Sequence, residues 1–215
     1  MRKIGIFGGS FDPVHFGHLR PAFEILQTLA LDEIRLVPAG KSPLRDPPVA
    51  PAALRLQMLQ AAVHDAAHFI VDERELRRPG PSYTVDTLTE LRQEFPQAQL
   101  ALIVGMDAFL GFTEWHEWRS LFKYAHIIVA HRPGWELPGG SALTELLCER
   151  RVDSAAGLWT EAAGRVLLQP VTQLEISSTR IRAAISAGGD PLYLVPEPVR
   201  DLILNSHCYT QAVVH

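Results

Sequence analysis

Two histidines three positions apart sit in the run Gly8-Gly9-Ser10-Phe11-Asp12-Pro13-Val14-His15-Phe16-Gly17-His18, directly after a short apolar stretch. Residues of these types at this spacing can handle phosphate. Two glycines allow backbone conformations closed to other residues and a close approach to a ligand. A helix that starts near Phe16 offers unpaired N–H groups and the positive end of its dipole, where phosphates bind in many nucleotide sites. His15 and His18 then share one face of the first turn. Gly17 between them removes a side chain where a flat ligand can press against the backbone. Two plainer readings stay open. The pair can be a metal site, although no third ligand of the right kind is evident nearby, or it can be ordinary helix-start residues. The spacing matches neither the G-x-G-x-x-G dinucleotide fingerprint nor the P-loop.

A second constellation lies near the other end of the chain, at Ile176-Ser177-Ser178-Thr179-Arg180-Ile181-Arg182. Hydroxyls and a helix N-terminus present donors there, and Arg182 can supply a charged fork; taken alone, the segment is a serine-capped helix. Between the two constellations stand Ser82-Tyr83-Thr84, Gly105-Met106-Asp107, Trp115-His116-Glu117-Trp118 and Arg132-Pro133-Gly134. An indole face can hold a flat ring by stacking. That reading suits Trp115, whereas Trp118 reads as core. For Arg132 a turn with a solvated arginine is an equal alternative.

The elements that must position these residues alternate. Apolar, β-branched runs at Lys3–Phe7, Glu33–Val37, Phe69–Val71, Leu100–Val104, His126–Ala130 and Val166–Leu168 predict short buried strands. Helical stripes fall between them: Phe23, Leu26 and Ala30; Leu56, Leu59 and Val63; Val85, Leu88 and Leu91 within Thr84 to Phe95, with Thr84 as cap; and Ile181, Ala184 and Ile185 within Ser178 to Ala187, ending at Gly188-Gly189. This alternation predicts an α/β fold, a doubly wound parallel sheet with helices on both faces. Its ligands should lie beyond the carboxyl ends of the strands, at the switch in strand order. Pro38 to Pro51 and Gly134 to Gly164 lack clear periodicity and are expected to be surface loops or excursions.

The chain has 215 residues, 47% hydrophobic and 20% charged, which suits one globular domain with a large core. A net charge of −4 argues against broad nucleic-acid binding but leaves room for a small anionic ligand. Cys148 and Cys208 lack metal-type spacing, and no apolar run has the length of a signal peptide or a membrane span. The expectation is a cytoplasmic protein with no nucleic-acid or membrane partner.

The first segment resembles the His-x-Gly-His signature of the nucleotidyltransferase superfamily related to class I aminoacyl-tRNA synthetases. Its Gly-Gly-Ser-Phe-Asp-Pro lead-in is similar to that of the bacterial nicotinate-mononucleotide adenylyltransferases. The second segment resembles that family's Ile-Ser-Ser-Thr-x-Ile-Arg element, and the likeness runs through nearly the whole chain. It implies a single Rossmann-like nucleotidyltransferase domain over 1–215, with the part from about 170 carrying the second phosphate motif. The implied reaction is adenylyl transfer from ATP to nicotinate mononucleotide in NAD biosynthesis, giving nicotinate adenine dinucleotide and pyrophosphate.

The resemblance assigns catalysis to His15, His18 and Arg182. It assigns ATP contacts to Gly8, Gly9, Ser10, Phe11, His15, His18, Ile176, Ser177, Ser178, Thr179 and Arg182. Thr84, Asp107, Trp115, His116 and Arg132 fall to the mononucleotide, the Trp115 indole stacking on the pyridine and the His116 amide meeting its carboxylate. Mg²⁺ is implied as an ion held mainly by ATP phosphates, with no protein metal site. One stretch departs from the pattern: Lys41-Ser42-Pro43-Leu44-Arg45 stands where many relatives carry Pro-His-Lys, so a cation is kept and the histidine is absent. Two rivals remain. Adenylylation of phosphopantetheine or CMP transfer is opposed by Thr84 and Trp115, and a nucleotide-binding regulator would release no pyrophosphate.

Overall fold

The apolar runs become parallel strands of one sheet in the computed structural model, which describes residues 1–44, 46–132 and 142–210. In chain order the elements are β1 (Lys3–Gly9), α1 (Phe16–Thr28), β2 (Glu33–Pro38), α2 (Ala52–Ala62), β3 (Phe69–Val71), α3 (Arg74–Arg77), α4 (Thr84–Glu94), β4 (Gln99–Gly105), α5 (Met106–Leu110), α6 (Leu121–Tyr124), β5 (His126–His131), α7 (Ala142–Arg150), β6 (Arg151–Val152), α8 (Ala155–Leu158), β7 (Val166–Pro170), α9 (Ser178–Ser186) and α10 (Glu197–Ser206). The strand order is β3-β2-β1-β4-β5-β7-β6, all parallel. The chain moves outward from β1 to β3, then crosses back to place β4 on the other side of β1. The switch point therefore opens between β1 and β4, beside the glycine-rich turn.

Side chains alternate across each strand, so the sheet feeds two cores. Ile103, Ile128 and Leu167 pack under α1, α2, α9 and α10. Ile4, Leu102 and Val129 pack under α4, α5, α6 and α7. Leu88 and Leu91 of α4 are fully buried, and Val85 nearly so, as their stripe predicts; each such side chain stabilises the fold by about 1.5–3 kcal/mol.

Four details differ from the expectation. In α1 the buried stripe is Ala22, Ile25, Leu26 and Leu29, while Phe23 is exposed and Ala30 lies past the helix end in a left-handed conformation. The cap of α4 is Tyr83, with Thr84 the first helical residue and no side-chain capping bond. In α9, Ile181 and Ile185 are buried but Ala184 is exposed. The stretch from Gly134 to Gly164 is more than a loop: residues 133–141 lie outside the described residues, but beyond them α7, β6 and α8 form. Leu143, Leu146 and Leu147 supply an i, i+3, i+4 stripe against the sheet, and β6 pairs with β7 as an edge strand. Pro38 to Pro51 is irregular as expected, with Arg45 outside the described residues. Among the described residues no helix is long and apolar enough to cross a membrane.

At the lower edge of the sheet His126, fully buried, ties the 159–165 turn to β5. Its Nδ1 accepts the Arg165 N–H at 3.2 Å, and Nε2 faces the Glu161 carbonyl at 3.1 Å. One proton, on Nε2, satisfies both; a second on Nδ1 would set donor against donor. Burial pushes the pKa down from 6.5 to about 4, and His15 is shifted equally far. Above pH 6.5 these two groups contribute their full stabilisation. As pH falls from 6.5 toward 4, the unfolded chain takes up protons that the fold refuses, and that stabilisation is lost. The urea midpoint should therefore drop between pH 6.5 and 5, and His126→Gln should remove about half of that drop, one of two equal contributors being gone. A midpoint flat across this window in the parent protein would contradict the burial argument.

Candidate active site

The site begins where β1 runs out. Gly9 fits closely against the ring two residues further on, since a methyl group at position 9 would sit 3.1 Å from the Phe11 side chain and would push it aside by a few tenths of an ångström. Phe11 itself takes a left-handed conformation, φ 47°, and is fully buried. Its backbone, and not its ring, can therefore face a ligand. Arg55, on the buried face of α2 at 2% exposure, grips this turn by donating to the Ser10 carbonyl at 2.7 Å and the Ala39 carbonyl at 2.8 Å.

The next helix, α1, starts at Phe16 with His15 as its cap residue. The two imidazoles stack, centroids 3.7 Å apart and planes 29° from parallel, and the His18 ring meets Phe11 edge-on at 5.2 Å. His15 is 4% exposed, and burial drives its pKa down to about 4, so at neutral pH it is an uncharged imidazole. Its Nδ1 is buried and has no hydrogen-bond partner among the described residues. No group of three or more His, Cys, Asp or Glu is arranged to hold a metal among the described residues.

The second motif arrives from 165 residues away and is seated directly on the first. Ser178 Oγ donates to the Pro13 carbonyl at 3.0 Å, and Arg182 Nη1 donates to the Asp12 carbonyl at 2.8 Å. Gly17 is explained by this contact: a methyl there would lie 2.8 Å from the Ile176 carbonyl and 2.9 Å from His15 Nδ1. The space expected to admit a flat ligand is thus filled by the protein's own second motif. The serine hydroxyls are also spoken for, since Ser177 Oγ caps α9 by accepting the Arg180 N–H at 3.3 Å. Arg182 also leans on its own helix, its Nη2 donating to Thr179 Oγ1 at 3.4 Å.

Between the motifs lies a cleft of about 460 Å³ at the switch point. Its floor is apolar, with Phe7, Ala22, Ile103 and Ala130, and its walls include Gly17, Ile176 and Ser177. Asp107, from the start of α5, and Arg132, just past β5, line the same cleft. Arg132 is held at the mouth by Gln173 (3.1 Å) and Glu175 (2.9 Å). Arg180, Gln173 and Glu175 also line it and were not singled out from sequence. They lie in or beside the second motif, so their place was readable only once that motif was docked.

Thr84, Trp115 and His116 form a separate group outside this cleft's lining. Tyr83, next to Thr84, lays its ring 4.2 Å from that of His116, and half-buried Trp115 packs on Phe112 at 5.0 Å. Trp118 packs against Phe112 and Phe122, the core role expected of it. The Lys41 loop stands beside this group: Ser82 N donates to the Lys41 carbonyl at 2.8 Å, and Gly40 N to Ser82 Oγ at 3.2 Å.

Comparison with known proteins agrees with this geometry. The cytidylyltransferase-like family model matches residues 6–184. A probable nicotinate-nucleotide adenylyltransferase of Aeromonas hydrophila is 43% identical over 209 residues, covering 97% of this chain and 98% of that protein. A protein of the same name from Acidithiobacillus ferrooxidans is 46% identical, covering 92% of this chain and 91% of its own length. Among solved structures, the Plasmodium falciparum nicotinic acid mononucleotide adenylyltransferase shares the fold at 17% identity and TM-score 0.72 in its complex with NaAD, covering 97% of this chain and 98% of that one. Its complex with APC gives a TM-score of 0.70 at 18% identity, with the same coverage. With full-length relatives well above 40% identity and a fold to match, the chain belongs to the nicotinate-nucleotide adenylyltransferase family, within the cytidylyltransferase-like enzymes.

Proposed function

We propose that the cleft holds ATP while the phosphate of nicotinate mononucleotide attacks its α-phosphorus in line. A bond forms from the mononucleotide oxygen to that phosphorus, the bond to the bridging oxygen breaks, and pyrophosphate leaves with nicotinate adenine dinucleotide as product. The observation that carries this reading is the docking of the second motif onto the first, Ile176 against Gly17 and Arg182 against Asp12, at the switch point of a parallel sheet.

The nucleophile is an anionic phosphate at neutral pH and needs no strong general base, so catalysis rests on positioning and charge stabilisation. A neutral His15 suits this role as a hydrogen-bond donor. Positive charge comes from Arg182 and from the amide ends of α1 and α9. The Gly8-Gly9-Ser10-Phe11 turn contributes backbone N–H groups, and Ile176, Ser177, Ser178 and Thr179 form the wall that receives the phosphates. On the mononucleotide side, Thr84 and the His116 amide donate to the pyridine carboxylate, and Trp115 stacks on its ring. Asp107 and Arg132, facing the cleft beside the ATP motifs, border the junction between the two nucleotides.

Mg²⁺ fits as an ion carried on the phosphates. No protein cage is present among the described residues, and Mg²⁺ commonly keeps several waters and binds through substrate phosphates with one or two carboxylates. Asp107, which lines the cleft, is the carboxylate that would help hold the ion, and the ion would supply neutralisation of phosphate charge. The chain works as one nucleotidyltransferase unit, and its two free cysteines suit the reducing cytoplasm.

Four outcomes test the assignment. His18→Ala should lower kcat by at least ~10²-fold with the fold intact, the scale of losing one transition-state donor; near-parental turnover in a folded variant would remove His18 from the mechanism. Arg182→Ala should raise KM for ATP far more than KM for the mononucleotide, and a defect confined to the mononucleotide would put the arginine on the other substrate. In a pyrophosphate-release assay with ATP and each pyridine mononucleotide in parallel, the nicotinate form should be preferred. A carboxamide turns its NH₂ toward a donor and leaves a desolvated mismatch of ~1–3 kcal/mol, which is roughly ten- to hundredfold in kcat/KM. Trp115→Ala should raise KM for both rings. Equal kcat/KM values would refute the selectivity, and no pyrophosphate with either mononucleotide would refute the reaction.

A further inference from the structure

Tyr209, in the turn after α10, reaches back across the molecule to the phosphate-binding turn. It is 5% exposed, and its hydroxyl donates to Asp12 Oδ1 at 2.7 Å. Asp12, 3% exposed, also accepts the Ala50 N–H on Oδ1 at 3.0 Å and the Val49 N–H on Oδ2 at 2.8 Å. Arg182 approaches the same residue without pairing squarely with it. Its Nη1 donates to the Asp12 main-chain oxygen at 2.8 Å and stands 3.5 Å from Oδ2.

That geometry is a competition. A carboxylate has about four acceptor positions, and three donors already occupy this one. With those donors in place the carboxylate exerts a weakened pull on the guanidinium, whose Nη2 donates to Thr179 Oγ1 at 3.4 Å within the second motif. With one donor removed, the bare lone pair would draw Arg182 into a short charge-assisted pair, the stronger kind of hydrogen bond. Burial and the neighbouring Asp12 both push the phenol's pKa up, so it remains a donor at every working pH.

We propose that Tyr209 is a positioning residue for adenylyl transfer: by occupying Asp12, its hydroxyl keeps Arg182 available to the ATP phosphates. This rests on the reading of Arg182 as an ATP-phosphate ligand, and the test separates the two. Tyr209→Phe keeps the ring and deletes the hydroxyl. ATP affinity, measured by calorimetry without mononucleotide, should weaken about three- to tenfold, as for a misdirected but not deleted charged donor. Mononucleotide affinity should hold, and the effect should vanish in an Arg182→Ala background. A mere staple would lower Tm and leave both affinities unmoved, which overturns the proposal. Equal losses of ATP affinity in both backgrounds also overturn it and leave the arginine's role standing. If Arg182→Ala alone does not change ATP affinity, the arginine reading falls, and the proposal with it, on a different measurement. Should Tyr209→Phe fold poorly, Val49→Pro carries the same prediction, because it removes the Oδ2 donor at an exposed loop position flanked by prolines.

Discussion

The buried carboxylate of Asp12 is the constraint around which the site is built. An ionised carboxylate taken out of water costs several kcal/mol unless donors meet its lone pairs. Here the donors come from the proline-rich loop (Val49 and Ala50), from Tyr209 and from Arg182 of α9. Satisfying one side chain therefore brings distant segments together at the end of β1. Arg55 mirrors it from below as a buried cation that donates to the Ser10 carbonyl in the turn and the Ala39 carbonyl after β2; burial lowers its pKa, and Asp12 opposes that shift. The turn at 10–12 is thus clamped by an acid and a base that are not bonded to one another. Neither residue need touch a substrate for the site to depend on both.

The electrostatics above this clamp are divided by burial. His15 is deep enough to be neutral at working pH, while the less buried Arg182 is only partly engaged with Asp12. A site proposed to hold one polyanion, accept a second anion and release a third would gain from that division. Two charged imidazoles stacked at 3.7 Å would repel each other; keeping at least one neutral is what allows the stack.

Much of this was legible in the residues themselves. Six apolar runs became six of the seven strands, and the interior ones, buried on both faces, have no polar alternation to disguise them; Phe69–Val71, expected to be buried, forms a short strand with Ile70 exposed. The two motifs announced the site because glycine, histidine and hydroxyl residues cluster there without a helical or strand reason. Three kinds of feature were not legible. Which residue capped α4 depended on tertiary docking, since Tyr83 is held by its contact with His116 and Thr84 is left to begin the helix. The register of α1 was misread because Phe23 outweighs Ala22 in hydrophobicity, yet Ala22 is the residue on the buried stripe with Ile25 and Leu26. The contacts of Ser178 and Gly17 were invisible because each is made to a residue far away in sequence, whereas the Ser177 cap, three residues from its partner, was legible. Arg55 offered the one overlooked signal: a cation on the buried stripe of a helix must have partners, and its partners mark the site.

The two halves of the site are separated by almost the full length of the polypeptide, Pro13 from Ser178 by 165 positions and Asp12 from Tyr209 by 197. On a ribosome adding 5–20 residues per second, the glycine-rich turn is made roughly ten to thirty seconds before its counterpart exists. During that interval Asp12 and His15 have no finished environment, and the nascent chain is an open sheet edge with half a binding pocket. Closing so long a loop is entropically costly and slow. The seating of α9 and α10 on the glycine-rich turn therefore belongs to the last stage of assembly. A nascent chain without them lacks the donors that Arg182 and Tyr209 bring to Asp12.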